Sequence, residues 1–279
     1  MVSSDQRRRQ LAREKYLRQQ ERRAARRRRA RLRNIALAVV GVLVFGAAVA
    51  YAVTGGLNRD EKDEDAGKQG TPSPSPSKSY DPCEKPSKGK PNGKKWKKEP
   101  EQAVDESAKY SMKLATTCGD IAFEMDAAKT PRTVNSFDFL AREKFFDHTK
   151  CHRLVDESIH VLQCGDPTAT GKSGPGYTLP DENLKDSRLK GGTYPAGTVA
   201  MANRYDARTK KGRDTGGSQF FLVFEDSTLP PDYTPFGKIT EGMDVLKKVA
   251  KAGSTPDPKT RNTPPNATVV IEKATVSKN

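Results

Sequence analysis

Residues 198–224 read TVAMANRYDARTKKGRDTGGSQFFLVF. The opening Thr-Val-Ala-Met-Ala-Asn is a short apolar run, the pattern of a buried strand. The closing Ser-Gln-Phe-Phe-Leu-Val-Phe is rich in aromatic and β-branched residues and predicts a second strand. A charged loop and the pair Gly216-Gly217 separate them. Asn203 ends one strand and Gln219 begins the other, so two side-chain amides sit beside apolar rings. That combination suits gripping a peptide backbone while seating an apolar side chain. Taken alone, the pattern is also that of an ordinary hairpin in a β domain.

Working outward, Ser111–Thr116 and Asp120–Met125 alternate apolar and polar around the turn Thr117-Cys118-Gly119, which predicts a hairpin. Thr130-Pro131 opens a helix, with Thr130 as cap, Pro131 at the first position, and Val134, Phe137, Leu140 and Ala141 as the buried stripe. Cys151–Val155 and His160–Gly165 follow as strands, then a Gly- and Pro-rich loop to Tyr194. Downstream lie a strand over 234–239, a helix over 241–252 stopped by Gly253, and a last strand over 268–276. The fold class is mostly β. Eight strands and two helices suit a closed antiparallel barrel plugged by the helices, which leaves no open edge.

The net charge is +15, and residues 1–33 hold about +11 of it, mostly as arginine. Residues 35–53, IALAVVGVLVFGAAVAYAV, carry no charge and are long enough to cross a hydrocarbon core about 30 Å thick. A cleaved signal peptide has a shorter apolar core, so an uncleaved anchor at 34–54 is the preferred reading. The basic segment 1–33 is then cytoplasmic, on anionic lipid rather than nucleic acid, and all that follows lies outside the cytoplasm. Residues 55–108 combine an acidic run, a Pro-Ser repeat and a Lys-rich stretch, which predicts a disordered spacer. The folded domain is expected over 109–279, as a monomer.

Three more motifs bear on function. His152-Arg153 precedes Gln163-Cys164-Gly165-Asp166, and Phe236-Gly237-Lys238 follows the opening stretch. The order His-Arg, Gln-x-Gly-Asp, Met-Ala-Asn, Gly-Ser-Gln-Phe-Phe, Phe-Gly-Lys resembles the cyclophilin family of peptidyl-prolyl isomerases, in a bacterial membrane-anchored form. The resemblance covers roughly 110–279. It implies a helix-plugged β-barrel with Arg153 and Gln163 catalytic. It also implies Phe221 as floor of a proline pocket, Val161 and Leu229 as walls, and Ala202, Asn203 and Gln219 as grips on the backbone. His160 falls where an aromatic ring usually packs, and Tyr233 where many members carry His. Thr228 stands where many carry Trp. The spacing from Arg153 to Gln163 exceeds the common one, so Asp156–Ser158 should bulge.

Rotation about an X-Pro bond faces a barrier near 20 kcal/mol set by amide resonance. Catalysis needs no nucleophile. It needs an apolar pocket, anchors for the chain, and a donor at the twisted amide, for which the permanently charged Arg153 is suited. The expected activity is isomerisation of proline-containing segments of unfolded or exported proteins. A non-catalytic chaperone module with the same groove is the alternative. The spacing of Asp147, His148, Cys151, His152, His160 and Cys164 matches no zinc pattern, so neither metal nor cofactor is expected. An oxidising compartment favours at least one bridge among Cys118, Cys151 and Cys164, with the pairing open and Cys83 in the spacer.

Overall fold

The computed structural model describes residues 81–257 and 262–279. The basic segment 1–33, the apolar span 35–53 and the Pro-Ser repeat lie outside the described residues. Among the described residues no helix is long and apolar enough to cross a membrane.

Among the described residues eleven strands, two α-helices and a short 3-10 helix follow one another: β1 (Tyr110–Thr116), β2 (Gly119–Met125), α1 (Pro131–Arg142), β3 (Thr149–Lys150), β4 (Arg153–Val155), β5 (Val161–Cys164), the 3-10 helix (Ser187–Gly192), β6 (Thr193–Tyr194), β7 (Thr198–Met201), β8 (Phe220–Val223), β9 (Ser227–Thr228), β10 (Pro235–Glu241), α2 (Met243–Lys251) and β11 (Val270–Lys278). Every predicted strand and helix of the domain is present. The three added pieces, β3, β6 and β9, are two residues each; β3 pairs with β11, and β6 and β9 form a small separate sheet. So short a pairing carries no readable alternation. Thr130 does not cap α1 with its side chain; its hydroxyl donates to the Asp126 carbonyl instead, at 2.6 Å.

The main sheet has nine strands in the order β3-β11-β1-β2-β10-β7-β8-β5-β4, paired antiparallel. The expectation of a closed eight-stranded barrel is therefore corrected: no ladder joins β3 to β4. The reason is covalent. The two strands are consecutive, separated only by Cys151 and His152. The Cys151 N–H donates to Val269 at 3.0 Å and the His152 N–H to Gln163 at 3.0 Å. The chain itself thus crosses the seam, passing from the β11 side to β5 in successive residues.

Side-chain alternation divides the interior. Leu162 and Cys164 of β5, with Phe220 and Leu222 of β8, enter the main core with Phe123, Phe137, Phe146 and Phe236. Val161, Phe221 and Val223, the intervening residues, face a second cluster with Leu189, Tyr194 and Ala200. Phe137 touches Phe146, Phe220 and Phe236, with ring centroids 4.6–5.6 Å apart, so α1 is pinned to the sheet by aromatic contacts.

Residues 81–109 form a strap along the domain, which corrects the expectation that the disordered spacer runs to residue 108. Cys83 is bridged to Cys118. The Trp96 ring meets Phe139 edge-on at 5.0 Å and Phe145 at 6.0 Å. The Asn135 amide, within α1, accepts from the Ala103 and Val104 N–H groups and donates to the Glu101 carbonyl at 3.0 Å. A segment too polar to bury a core of its own is held by contacts with the domain surface, which composition does not reveal.

Candidate functional site

The β4–β5 hairpin and β8 lay one row across three strands. Arg153 stands opposite Gln163, and Gln163 opposite Phe221. The five residues 156–160 join β4 to β5, with Asp156–Ser158 exposed, so the extra length expected there lies in the loop and the ladder stays regular. The hairpin is tied across its base by a Cys151–Cys164 bridge. At the end of β5, Gly165 adopts φ +90°, and a Cβ there would collide with the Ser218 carbonyl. The Ser218 hydroxyl uses that close approach, donating to the Gly165 carbonyl at 2.7 Å.

Arg153 is exposed, and its Nη1 donates to Gln163 Oε1 at 3.4 Å. Gln163 Nε2 donates to Gln219 Oε1 at 2.9 Å, and Gln219 Nε2 to the Ser173 carbonyl at 2.8 Å. The Asn203 amide donates to Asp181 at 3.1 Å and to the Asp232 carbonyl at 2.7 Å, and accepts from the Tyr205 N–H. Both amides expected to grip a peptide with their side chains are thus engaged within the chain. They lie at strand ends beside loops, where carbonyls and carboxylates are already in reach.

The apolar half of the site is the second cluster. Ala202, Leu229 and Tyr233, all half-buried, pack against it, and Val161 is buried within it. The Phe221 ring lies 5.4 Å from Tyr233 and 6.1 Å from Tyr194. His160 is turned aside: its ring meets Phe224 at 5.8 Å and its Nδ1 lies 2.8 Å from Asp156. Eight of the ten expected site residues therefore border the row or the cluster, Asn203 sits at the edge in a structural role, and His160 faces Phe224. Thr228 is exposed and pairs with Thr193.

Two contributors escape the sequence. Tyr194 lies in the stretch without pattern, yet is fully buried beneath the cluster. Its hydroxyl donates to the Tyr233 carbonyl at 2.8 Å and accepts from the Tyr233 N–H at 3.1 Å. Burial raises its phenol well above the ordinary value, and burial raises that of Tyr233 as well, so both remain protonated hydrogen-bonding groups. Arg213 pairs with Asp181 at 3.3 Å and with Asp232, and its guanidinium lies 3.5 Å over the Tyr205 ring. It ties the charged loop to the segment that carries Tyr233. A loop arginine among nine charged or polar neighbours gives no sequence sign of this.

His152, beside Arg153, is buried, and neither ring nitrogen has a hydrogen-bond partner among the described residues. Burial lowers its pKa, opposed by the nearby Asp166 carboxylate. Among the described residues no group of three or more His, Cys, Asp or Glu is placed to hold a metal ion.

Residues 111–276 match the family model described as cyclophilin type peptidyl-prolyl cis-trans isomerase/CLD. The chain is 46% identical over 155 residues to a probable peptidyl-prolyl cis-trans isomerase B of Mycobacterium leprae, covering 52% of this chain and 50% of that protein. It is 40% identical over 189 residues to the Mycobacterium tuberculosis protein of the same description, covering 64% and 55%. Over 131 residues it is 38% identical to peptidyl-prolyl cis-trans isomerase B of Bacillus subtilis, covering 47% of this chain and 82% of that one. The chain thus spans about half the length of the two mycobacterial relatives. Matched from β1 to β11 over more than half of its residues, the chain belongs to the cyclophilin-type peptidyl-prolyl cis-trans isomerase family.

Proposed function

We propose that the chain is a peptidyl-prolyl cis-trans isomerase. It acts on proline-containing segments of unfolded or exported proteins outside the cytoplasm. The observation that carries this reading is the row Arg153–Gln163–Phe221, which sets a charged donor beside an apolar cluster.

The chemistry follows from the barrier. Twisting the amide ends its resonance and leaves a lone pair on a pyramidal proline nitrogen. Neighbouring strands are about 4.8 Å apart, so Arg153 starts about 10 Å from Phe221, a distance its long side chain largely covers. A proline ring held against Phe221, Leu229 and Tyr233 leaves the preceding amide facing the guanidinium. An N–H of Arg153 donates to the nitrogen lone pair only once the bond is twisted, so it favours the transition state over either planar form. Gln163 accepts one N–H of Arg153 and leaves the others turned to the groove. One such donor supplies about two to three factors of ten, at about 1.4 kcal/mol each.

The cellular part of the proposal rests on the sequence. The uncharged span 35–53 after an Arg-rich lead supports a single membrane anchor, with the isomerase domain on the far side from the cytoplasm. The two bridges, Cys83–Cys118 and Cys151–Cys164, suit an oxidising compartment. The test of the activity is whether the full-length chain accelerates cis/trans relaxation of a proline peptide. Peptide binding without acceleration would reassign it as a non-catalytic module.

A further inference from the structure

A cavity of about 380 Å³ opens next to the row, and Gln163, Ala202 and Gln219 belong to its wall. Among the described residues three cationic ones line it, Lys95, Lys172 and Arg204, and no carboxylate does. None of the three makes an ion pair among the described residues. Acids of the surrounding loops are engaged inside the fold. Asp181 pairs with Arg213. Asp166 is fully buried and accepts from the Lys172 and Ser173 N–H groups at 2.9 and 3.1 Å.

Lys95 reaches this place on the strap. The adjacent Trp96 N–H donates to the Pro175 carbonyl at 2.8 Å, and the Trp96 ring is packed on Phe139 and Phe145. Gly176, at φ +96°, permits the approach, since a Cβ there would meet the Trp96 carbonyl and come within 3.2 Å of the Lys95 Cβ. The backbone of Lys95 is thereby fixed while its exposed ammonium stays free. Lys95 lies outside residues 111–276, so this cation is added by the strap to a cavity built from the family domain.

We propose that Lys95, with Lys172 and Arg204, makes the chain select proline segments bearing a carboxylate side chain near the proline. This rests on the isomerase reading above. An extended chain advances about 3.3 Å per residue, and the cavity shares Gln163 with the row and is also walled by Gln219, which Gln163 hydrogen-bonds, so the carboxylate belongs within about three residues of the proline. One exposed ion pair contributes little. Three like charges around a concavity that holds no opposing charge concentrate their field there.

The test uses the full-length chain and short proline peptides in which Glu, or its uncharged isostere Gln, is stepped through the three positions on each side of the proline. At about 0.01 M ionic strength, where screening acts over about 30 Å, Glu should raise kcat/KM about fivefold over Gln at one position. Near 1 M salt, with a screening length of about 3 Å, the ratio should fall towards one. Lys95→Gln should reduce the low-salt ratio at that position, and Lys95→Glu should bring it below one. Lys97→Gln, on the same strap, should leave it unchanged. Affinities of the same peptides, from fluorescence anisotropy, give the ratio without catalysis. Isomerisation with no Glu preference at any position overturns the inference, as does a preference that Lys95→Gln leaves intact. A Glu preference in affinity without isomerisation upholds it and overturns the isomerase reading instead.

Discussion

Gln163 Nε2 donates to Gln219 Oε1 at 2.9 Å, and that bond decides what Gln163 offers to Arg153. With its amide N–H engaged, Gln163 presents Oε1 to the guanidinium. Gln219 is oriented in turn by the Ser173 carbonyl. The arginine is thus positioned by a relay of two amides ending on backbone.

Arg153→Ala should lower kcat/KM about a hundredfold, the scale of one electrostatic donor. Gln219→Ala should lower it about fivefold, the worth of one hydrogen bond of about 1 kcal/mol. If Gln219 acts through Arg153, the double variant should be no slower than Arg153→Ala alone. Peptide-isomerisation rates of the four proteins decide it; fully additive losses would mean that Gln219 acts on the peptide directly.

Unreduced, alkylated protein should show no free thiol, and peptide mapping should recover Cys83 with Cys118 and Cys151 with Cys164. The paired replacement Cys151→Ser with Cys164→Ser opens a loop of sequence separation 13 and should cost about 3 kcal/mol. A urea midpoint equal to that of the wild type would contradict a native bridge.

Trp96 is the single tryptophan and half-buried between strap and α1. Its emission should report strap release. Trp96→Ala should destabilise the domain by about 2 kcal/mol, less than a fully buried tryptophan. Urea melts followed by circular dichroism check this, and an unchanged midpoint would detach the strap from the fold.

His152 provides a pH test. Burial lowers its pKa in the folded state below the ordinary value of 6.5, so the unfolded chain binds the proton first as pH falls. The stability associated with neutral His152 is complete above about pH 6.5 and is lost progressively below it, by at most about 1.4 kcal/mol per pH unit. His152→Gln should therefore show a shallower fall in urea midpoint than the wild type between about pH 6.5 and 5. Parallel curves would exclude His152 as the source of that slope.

The anchor reading predicts that protease added to intact cells removes residues 55–279 and spares the basic segment. Protection of the domain until lysis would reverse the orientation.

Residue order alone determined the eight longer strands, the two helices of the domain and the residues of the row. Alternation along Ser111–Met125, the Pro at the start of α1, and the run from His152-Arg153 to Phe236-Gly237-Lys238 are local signals that survive without coordinates. What the sequence could not decide depends on residues far apart in the chain. Whether the sheet closes turned on Cys151 and His152 bonding to Val269 and Gln163. The Asn203 and Gln219 amides look free in a list of residues, and found partners only when Asp181, Asp232 and Ser173 folded against them. Tyr194 became part of the apolar cluster through contacts with Phe221 and Tyr233. The strap, too polar to fold by itself, was ordered by a bridge, one tryptophan and the Asn135 amide. Propensity and alternation act over a few residues and can be read in order; hydrogen-bond satisfaction and burial are settled by whatever the rest of the chain brings within reach.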